Sequence, residues 1–277
     1  SFDVSVWVCF WQLMIGCPLV LAGPGEHRDP QRIAQLVQQF GVTTLHFVPP
    51  LLRVFVDEPQ AVHCHSLRRL FSGGEALPAA LRDRVLAQLP NVQLHNRYGP
   101  TETAINVTHW ACSPDDGERS PIGRPLGNVL CRVLDSELNP LPAGVPGELC
   151  IGGIGLARGY QQRPGLTAER FIADPLGQPG SRLYRTGDRV RWGAEGALEY
   201  LGRLDQQVKL RGFRVEPQEI EARLLAQPGV AHAAVVIRDT AAGPQLIGYY
   251  TIVENHALDS QSLSAALARE LPEYMVP

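Results

Sequence analysis

The stretch 96–102 (NRYGPTE) combines an aromatic ring, a Gly-Pro bend, a hydroxyl and a carboxylate within seven residues. Tyr98 offers a flat face to a base, Thr101 offers a hydroxyl to a phosphate, and Glu102 offers an oxygen ligand to Mg2+. Gly99 permits a tight turn or the close approach of a ligand, although an ordinary loop also accommodates Gly-Pro. These residue types alone leave both a nucleotide site and an ordinary loop open.

The composition is that of an ordinary globular protein, with 44% hydrophobic and 19% charged residues among 277. A formal net charge of -3, without a cluster of Lys or Arg, gives no reason to expect a nucleic-acid partner. The six cysteines form no CxxC pair, which favours reduced thiols and a cytoplasmic location over a zinc site or disulfide framework. Asp3, Gln12 and Pro18 interrupt the apolar residues 1–22, so we expect no membrane-spanning helix there.

Capping residues near the amino end predict two helices. Ser5 is predicted to cap a first helix that ends at Gly16. Asp29 and Pro30 predict the start of a second helix, and Gly41 predicts its end. Strand-like runs then alternate with helical segments, which predicts parallel βαβ units. The strand-like runs are 43–48, 67–71 and 92–95, and the helical segments lie near 50–56 and 78–89.

Ligands of parallel sheets lie beyond the carboxyl ends of the strands. Segments 72–75 and 96–102 each follow such an end, so we expect them to face one shared crevice. Beyond residue 120, short runs separated by Gly/Pro turns predict a small antiparallel β region and then a small α+β domain. These are runs 129–134, 147–152, 183–191 and 197–201, then a helix at 217–226, strands near 231–238 and 245–253, and a helix at 261–270. The predicted fold class is α/β plus α+β.

The exact sequence of 96–102 is more informative than the chemistry of its residue types. It resembles the NxYGPTE signature of the amino-acid adenylation domains of nonribosomal peptide synthetases, within the superfamily of acyl-CoA synthetases and luciferases. Five further segments match that family in its order and spacing. They are FDVS at 2–5, GELCIGGIGLARGY at 147–160, YRTGD at 184–188, the segment 202–221 (family pattern GRxDxQVKxRGxRxExxEIE), and LPEYMVP at 271–277.

The resemblance implies a division into two domains. Residues 1–204 would be the C-terminal part of the large AMP-binding core domain, and 205–277 a truncated, mobile small domain with its hinge near Asp205. The family's Gly/Ser/Thr-rich phosphate loop and the lysine of its adenylation step are expected outside residues 1–277. We therefore expect the 277 residues alone to have little adenylation activity.

The resemblance also implies a reaction in two halves. An amino-acid carboxylate attacks the α-phosphate of ATP to give an aminoacyl adenylate and pyrophosphate. The acyl group then passes to the phosphopantetheine thiol of a carrier domain. ATP, Mg2+ and phosphopantetheine are the implied cofactors, and the carrier and condensation domains of the same megasynthase are the implied partners.

Several residues acquire nucleotide-binding roles through the resemblance. Tyr98 would stack on adenine and Asn96 would bond its amino edge, while Gly73 and Gly74 would make room for the ring. Thr101 would touch the α-phosphate. Without the motif, Tyr98 would be interpreted as a core aromatic.

The remaining polar roles also depend on the resemblance. Glu102 would hold Mg2+, Asp188 would accept hydrogen bonds from the ribose hydroxyls, and Arg203 would assist at the ribose or a phosphate. Lys209 would act in the thioester half-reaction. Without the motifs, Glu102 would be interpreted as a solvated side chain and Asp188 as a turn residue. Arg203 would be interpreted as part of a surface salt bridge, and Lys209 as an exposed lysine of a strand. The glycines of 147–160 lack the GxxxxGK[ST] pattern, so this segment is expected to be structural and to lie near the active site.

Asp3 is the residue that separates substrate classes. The resemblance assigns it to the substrate α-ammonium, because a buried carboxylate needs a partner; the alternative is a helix cap. Trp7 and two phenylalanines suggest an apolar pocket, whereas Arg97 could instead grip an acidic side chain. We expect a medium aliphatic substrate such as leucine, with a polar or acidic one left open. The aligned pocket positions are Asp3, Val4, Trp7, Phe47, Phe71, Gly73, Arg97, Ile105 and Asn106.

Two alternative functions stay open at this point. An acyl-CoA or aryl-acid ligase of the same superfamily would have no use for the carboxylate of Asp3. A noncatalytic nucleotide-binding module would not need the intact set of Glu102, Asp188 and Lys209.

Overall fold

The computed structural model describes residues 3–205, 207–210, 212–240, 243–253 and 258–277. Phe2 of the FDVS match, together with Gln206 and Arg211 of the 202–221 match, lies outside the described residues. The chain divides into two compact units, Ser1–Leu204 and Asp205–Pro277.

The helices of the first unit are amphipathic segments bounded by capping residues. Helix α2 begins as predicted, since Asp29 Oδ1 accepts hydrogen bonds from the backbone N–H groups of Gln31 (3.0 Å) and Arg32 (3.2 Å). Gly41 ends this helix in the left-handed conformation, with φ of 63°. The helices are α1 (Val4–Ile15), α2 (Pro30–Phe40), α3 (Pro49–Asp57), α4 (Ala79–Gln88) and α5 (Pro164–Arg170). Short 3-10 helices lie at Glu26–Arg28, Pro59–His63, Thr101–Thr103 and Pro114–Asp116.

Helix α1 begins differently from the prediction. Ser5 lies inside the helix, so the prediction that it is the cap is wrong. Asp3 occupies the N-cap position but already has helical φ and ψ, and its side chain makes no capping hydrogen bond to a described residue. Gly16 ends the helix as predicted, with φ of 68°.

The first sheet has five strands in sequence order. They are β1 (Thr44–Phe47), β2 (Arg69–Ser72), β3 (Gln93–Tyr98), β4 (Thr108–Ala111) and β5 (Arg124–Pro125). Strands β1–β3 are parallel as predicted, and β4 and β5 extend the sheet in antiparallel fashion. The register places Phe71 between His46 and His95, and Ser72 beside Asn96. The carboxyl ends of β2 and β3 therefore meet at one edge.

The core of this layer lies between the parallel strands and helices α2–α4. Leu52 and Phe55 of α3 are fully buried against Leu70 of β2 and Leu94 of β3. Val85 of α4 belongs to the same hydrophobic cluster. Burying each such side chain stabilises the fold by about 1.5–3 kcal/mol, so this core fixes the strand ends that carry the site.

The second sheet is antiparallel, as predicted for the region beyond residue 120. Its strands run in the order β10-β9-β7-β6, with β8 paired to β9. They are β6 (Val129–Leu134), β7 (Gly147–Gly153), β8 (Phe171–Ala173), β9 (Arg182–Trp192) and β10 (Leu198–Arg203). Tyr98 of β3 belongs to the same hydrophobic cluster as Leu149 of β7 and Val190 of β9, so the two sheets share a core.

The second unit is a small α+β domain built from two hairpins and two helices. Its core contains Val215, Ile220 and Leu267, each almost fully buried. The elements are β11 (Val208–Leu210), β12 (Phe213–Val215), α6 (Pro217–Leu225), β13 (Val230–Thr240), β14 (Gly243–Ile252), α7 (Ser260–Glu270) and a 3-10 helix at Glu273–Met275. Among the helices of the described ranges, none is long and apolar enough to cross a membrane.

Candidate active site

The loop after β3 has a backbone that requires its glycine. A Cβ on Gly99 would lie 2.2 Å from the carbonyl oxygen of Ile105, so only glycine fits this approach. The loop folds back through Ala104 and Ile105, whose φ angles are 61° and 73°. A positive φ at a β-branched residue costs about 1–3 kcal/mol, and such strain is concentrated at functional sites. This strained turn holds Thr101 and Glu102 at the end of β3.

One face of β3 carries Asn96 and Tyr98, and Tyr98 contacts an ion pair of the second sheet. The Tyr98 hydroxyl donates to Asp188 Oδ2 at 2.5 Å, and Arg203 Nη1 donates to Asp188 Oδ1 at 2.9 Å. Arg203 Nη1 also donates to the carbonyl oxygen of Thr186 at 2.8 Å. Asp188 is only 3% exposed. We call Asn96, Tyr98, Asp188 and Arg203 the tyrosine face.

The polar groups of the tyrosine face are held in fixed positions. Burial, and then the neighbouring charge of Asp188, raises the pKa of Tyr98 well above its ordinary value, so its hydroxyl keeps the proton that it donates. Asn96 is 2% exposed, and its side-chain N–H donates to the carbonyl oxygen of Pro121 at 2.8 Å. Each carboxylate oxygen of Asp188 has a second lone pair, which can accept from a ligand hydroxyl.

The opposite face of β3 carries Arg97, whose guanidinium contacts two aromatic rings. Its Cζ is 3.9 Å from the centroid of Phe71 in β2 and 4.6 Å from that of Trp7 in α1. The two rings meet edge to face, with their centroids 5.9 Å apart. We call Trp7, Phe71 and Arg97 the arginine face. The structure thus brings together three residues that the sequence predicted to line one pocket.

Phe47, also predicted for that pocket, does not lie with them. Its side chain points into the core, where its ring centroid is 5.0 Å from that of Phe55. Alternation along β1 turns His46 to the arginine face instead, 6.4 Å from the Trp7 ring. The register of β1 with β2, which pairs His46 with Phe71, is the signal that identifies this residue. His46 is therefore a residue of the site that sequence reasoning missed.

Gly73 and Gly74 lie at the end of β2, where the chain approaches its neighbours closely. A Cβ on Gly73 would come within 2.9 Å of the carbonyl oxygen of Arg97 and 3.4 Å of His46 Nε2. Gly74 has φ of 88°, which a side chain would strain. Glycine at these positions lets β2 end directly against β3, next to both faces; the role predicted for them at adenine stays a prediction.

Asp3 and Thr101 lie 98 positions apart in sequence and are in direct contact. The Thr101 hydroxyl donates a hydrogen bond to Asp3 Oδ2. Asp3 is half-buried and Thr101 is exposed, so this contact lies at the surface of the described structure. The residue predicted to hold the substrate α-ammonium therefore lies next to the residue predicted to touch the α-phosphate.

Glu102 is 8% exposed and is held by a tyrosine that sequence reasoning assigned no role. The Tyr160 hydroxyl donates to Glu102 Oε1 at 2.7 Å and lies 3.4 Å from the Tyr184 hydroxyl. Burial, followed by its hydrogen bonds to Tyr184 and Glu102, raises the pKa of Tyr160. Segment 147–160 lies beside this loop as expected, since the Ala157 N–H donates to the Glu102 carbonyl oxygen at 2.8 Å. Tyr160 is the last residue of the match at 147–160, and that match is the sequence signal that could have identified it as a residue of the site.

The remaining predicted residues lie elsewhere. Val4 begins α1, and Ile105 and Asn106 follow the strained turn. In the second unit, Lys209 lies on β11 opposite Arg214 of β12. Asp205 is the first residue of that unit and accepts from the Gln207 N–H at 3.1 Å; the hinge stays a prediction. Among the described residues, no group of three or more His, Cys, Asp or Glu side chains could hold a metal ion.

The family described as "AMP-binding enzyme" matches residues 1–161, and its C-terminal domain matches residues 219–277. The first match alone covers more than half of the chain. The chain belongs to the AMP-binding enzyme family. This finding confirms the family and the fold class that the motifs predicted.

Relatives within the AMP-binding family are parts of large synthetases. The whole chain is 53% identical to a segment of phosphinothricin tripeptide synthetase PhsB from Streptomyces viridochromogenes and 46% identical to one of enterobactin synthase component F from Escherichia coli. It spans 23% and 22% of the lengths of these two proteins.

Two solved structures have the same fold as this chain. The crystal structure of IdnL1 matches all of the chain with a TM-score of 0.87 and 28% identity, and the chain covers 57% of it. PA1221, described as an NRPS protein containing adenylation and PCP domains, matches 90% of the chain with a TM-score of 0.77 and 30% identity, and the chain covers 49% of it.

Proposed function

We propose that this chain is part of an adenylation domain that activates an amino acid with ATP in nonribosomal peptide synthesis. The products of the first half-reaction are an aminoacyl adenylate and pyrophosphate. The acyl group then passes to the phosphopantetheine thiol of a carrier domain. The similarity of the chain to a tripeptide synthetase and to a protein with adenylation and PCP domains supports this proposal.

The contact between Asp3 and Thr101 is the observation that carries the proposal. Adenylation requires the carboxylate of the amino acid to meet the α-phosphate of ATP. An anionic side chain suited to an α-ammonium lies within hydrogen-bond distance of a hydroxyl suited to a phosphate oxygen. A substrate held by both would have its carboxylate beside the α-phosphate, which is the positioning that such a reaction needs. The helix-cap alternative for Asp3 has no hydrogen bond to support it.

The chemistry of this step is a displacement at phosphorus. A carboxylate oxygen of the amino acid forms a bond to the α-phosphorus. The bond between the α-phosphorus and the α,β-bridging oxygen of ATP breaks, and pyrophosphate leaves with that oxygen. Thr101 would donate to the α-phosphate, and Asp3 would orient the amino acid. The nucleoside would be bound by Tyr98, Asp188 and Arg203. Their mutual hydrogen bonds leave these side chains little freedom to reorient, so they are already in place when the ligand binds.

Glu102 fits the role of a Mg2+ ligand. It presents a carboxylate at the end of β3, and the Tyr160 hydroxyl holds one of its oxygens in place. Mg2+ is commonly bound by one or two carboxylates together with substrate phosphates and water, so a single carboxylate suffices. When bound, the cation would neutralise charge on the phosphates and on the leaving pyrophosphate.

The second half-reaction belongs to the small unit. Lys209 on β11 would act there, and Asp205 would be the hinge about which this unit moves. A carrier domain and a condensation domain of the same synthetase would be the partners.

Amino-acid-dependent ATP–pyrophosphate exchange on the complete protein tests the proposal. The panel contains the proteinogenic amino acids, fatty acids and aryl acids, and Asp3→Ala is assayed beside the exposed control Asp115→Ala. Exchange with an amino acid that is lost in Asp3→Ala, and kept in the control, is the expected result. Exchange only with fatty or aryl acids would move the protein to the acyl ligases. Silence with every acid, from a folded protein that binds ATP, would favour the noncatalytic module or a nonproteinogenic substrate.

A further inference from the structure

Arg97 is a cation that contacts the rings of Phe71 and Trp7. Its Cζ lies 3.9 Å from the ring centroid of Phe71 and 4.6 Å from that of Trp7, in the corner formed by two rings that meet at 89°. Cation–π contacts with both rings hold the guanidinium at this position, and a guanidinium carries N–H donors along the edges of its plane. Those edges are where a carboxylate binds in bidentate fashion.

The hydrogen bonds of Arg97, which is half-buried, differ from those of a fully buried arginine in the same unit. Arg82 is fully buried, and its guanidinium donates to Asp83 and to the carbonyl oxygens of Gly117 and Arg119. Arg97 Nε is buried, but it has no hydrogen-bond acceptor among the residues that the structure describes. A buried donor without an acceptor is costly, and native structures rarely keep one without a reason.

Among the residues that the structure describes, no acidic side chain forms an ion pair with Arg97. The side chains of His46, His95 and His109 lie along the same face of the sheet, and burial, with the charge of Arg97 contributing, lowers the pKa of each. The pKa values of His46 and His95 fall to about 4, so both imidazoles are neutral at pH 7. Burial also lowers the pKa of Arg97 to about 10, which leaves it charged.

We propose that the amino acid activated at this site bears a side-chain carboxylate, which pairs with Arg97. This inference rests on the proposed adenylation function and deepens it. Trp7 follows Asp3 by four positions in α1, so both lie on one side of the helix, one turn apart. Asp3 would take the α-ammonium, and Arg97 would take the side-chain carboxylate beside Trp7. This assignment replaces leucine, the aliphatic substrate expected from the sequence.

The experiment compares acids with their neutral amides in ATP–pyrophosphate exchange on the complete protein. L-Aspartate, L-glutamate and L-2-aminoadipate are assayed with L-asparagine, L-glutamine and L-leucine. For the best acid, we expect a kcat/KM about 100-fold above that of its amide, because a charge-assisted bidentate pair is lost with the amide. In Arg97→Met this preference should disappear. Arg53→Met, the same change at an exposed position of α3, should keep it.

Two further readouts separate binding from misfolding. Arg97→Lys keeps the charge without the planar fork, so it should retain about a tenth of the preference for the acid. The KM for ATP should be unchanged in Arg97→Met, which shows that the variant is folded. Exchange with leucine or another neutral amino acid, but with no acid, would overturn the inference and leave the adenylation function intact. Silence with all amino acids would remove the adenylation function, and this inference with it.

Discussion

Arg97 and Tyr98 are neighbours in β3, and alternation along the strand sends them to opposite faces of the sheet. On the tyrosine face, Tyr98 and Arg203 both donate to Asp188, so each charged or polar group shown there has a protein partner. On the arginine face, two rings hold the guanidinium of Arg97, whose Nε has no acceptor among the described residues. One strand thus carries a paired polar network and an incompletely paired cation.

This difference matches what two kinds of ligand require. A ligand common to every reaction cycle, such as ATP, is best met by groups that their own hydrogen bonds already hold in place. A ligand that defines specificity is best met by a buried polar group that only the correct partner satisfies, because a wrong partner then leaves it unpaired.

Asp188→Asn should break the tyrosine face. It removes the anion that balances the buried charge of Arg203, and breaking such a pair costs about 3 kcal/mol. Pulse proteolysis of the complete protein in urea measures the loss. Asp174→Asn is the matched control, because Asp174 is also buried and forms an ion pair of 3.0 Å with Arg132. Neither residue of this pair belongs to β3. Both should lose stability, but only Asp188→Asn should raise the Kd for ATP; an equal rise in both would contradict the comparison.

Tyr160→Phe should loosen the loop that follows β3 without disturbing either face. The hydroxyl fixes one oxygen of Glu102, and loss of such support around a metal ligand commonly costs 10- to 100-fold in metal affinity. We expect about a 10-fold increase in the Mg2+ concentration that half-saturates exchange. Tyr249→Phe, at an exposed tyrosine of the second unit, should leave it unchanged. An unchanged Mg2+ requirement in Tyr160→Phe would remove Tyr160 from the metal site.

Acidification should lower the free energy of unfolding through His46, which lies on the arginine face. The unfolded imidazole binds a proton near its ordinary pKa of 6.5, whereas the folded one does so only at about 4. The unfolded state therefore binds more protons between these values, and stability falls as the pH falls from 6.5 towards 4. His46→Gln should reduce the loss between pH 7 and pH 5 by about 1 kcal/mol. His63→Gln, at an exposed histidine, serves as control; equal losses in the two variants would contradict this role.

Arg97→Met should have the smallest effect on folding. Arg97 is half-buried, and its Nε has no acceptor among the described residues, so an apolar side chain of similar length breaks no ion pair that the structure describes. We therefore expect a change in the free energy of unfolding within about 1 kcal/mol. Pulse proteolysis in urea compares it directly with Asp188→Asn. A loss as large as that of Asp188→Asn would mean that Arg97 is paired within the protein after all, and the contrast between the faces would fail.

Local signals were sufficient for most of the fold. Asp29, Pro30 and Gly41 set the limits of α2 through contacts within a few residues, and apolar periodicity marked the parallel strands. Strands β4 and β5 were not predicted, because each is short and their pairing with β3 carries no local pattern. Ser5 was misassigned as a cap because the helix begins two residues earlier than a cap at Ser5 would place it.

The site was less accessible from sequence because its contacts join distant segments. The contacts of Tyr160 with Glu102 and of Thr101 with Asp3 span 58 and 98 positions, so no periodicity reveals them. The choice between Phe47 and its neighbour depended on the strand register, since a one-residue shift exchanges the two faces. The motifs identified the segments, whereas the structure determined which face each side chain occupies.

The most direct test of the two-face account is a comparison of KM values in ATP–pyrophosphate exchange on the complete protein. Arg97→Met and Tyr98→Phe alter adjacent residues of one strand, and each removes polar groups from one face only. The account predicts that Arg97→Met raises the KM for the amino acid and leaves that for ATP unchanged. Tyr98→Phe, which loses its bond to Asp188, should raise the KM for ATP about 10-fold and leave that for the amino acid unchanged. Parallel changes in both constants for either variant would contradict it.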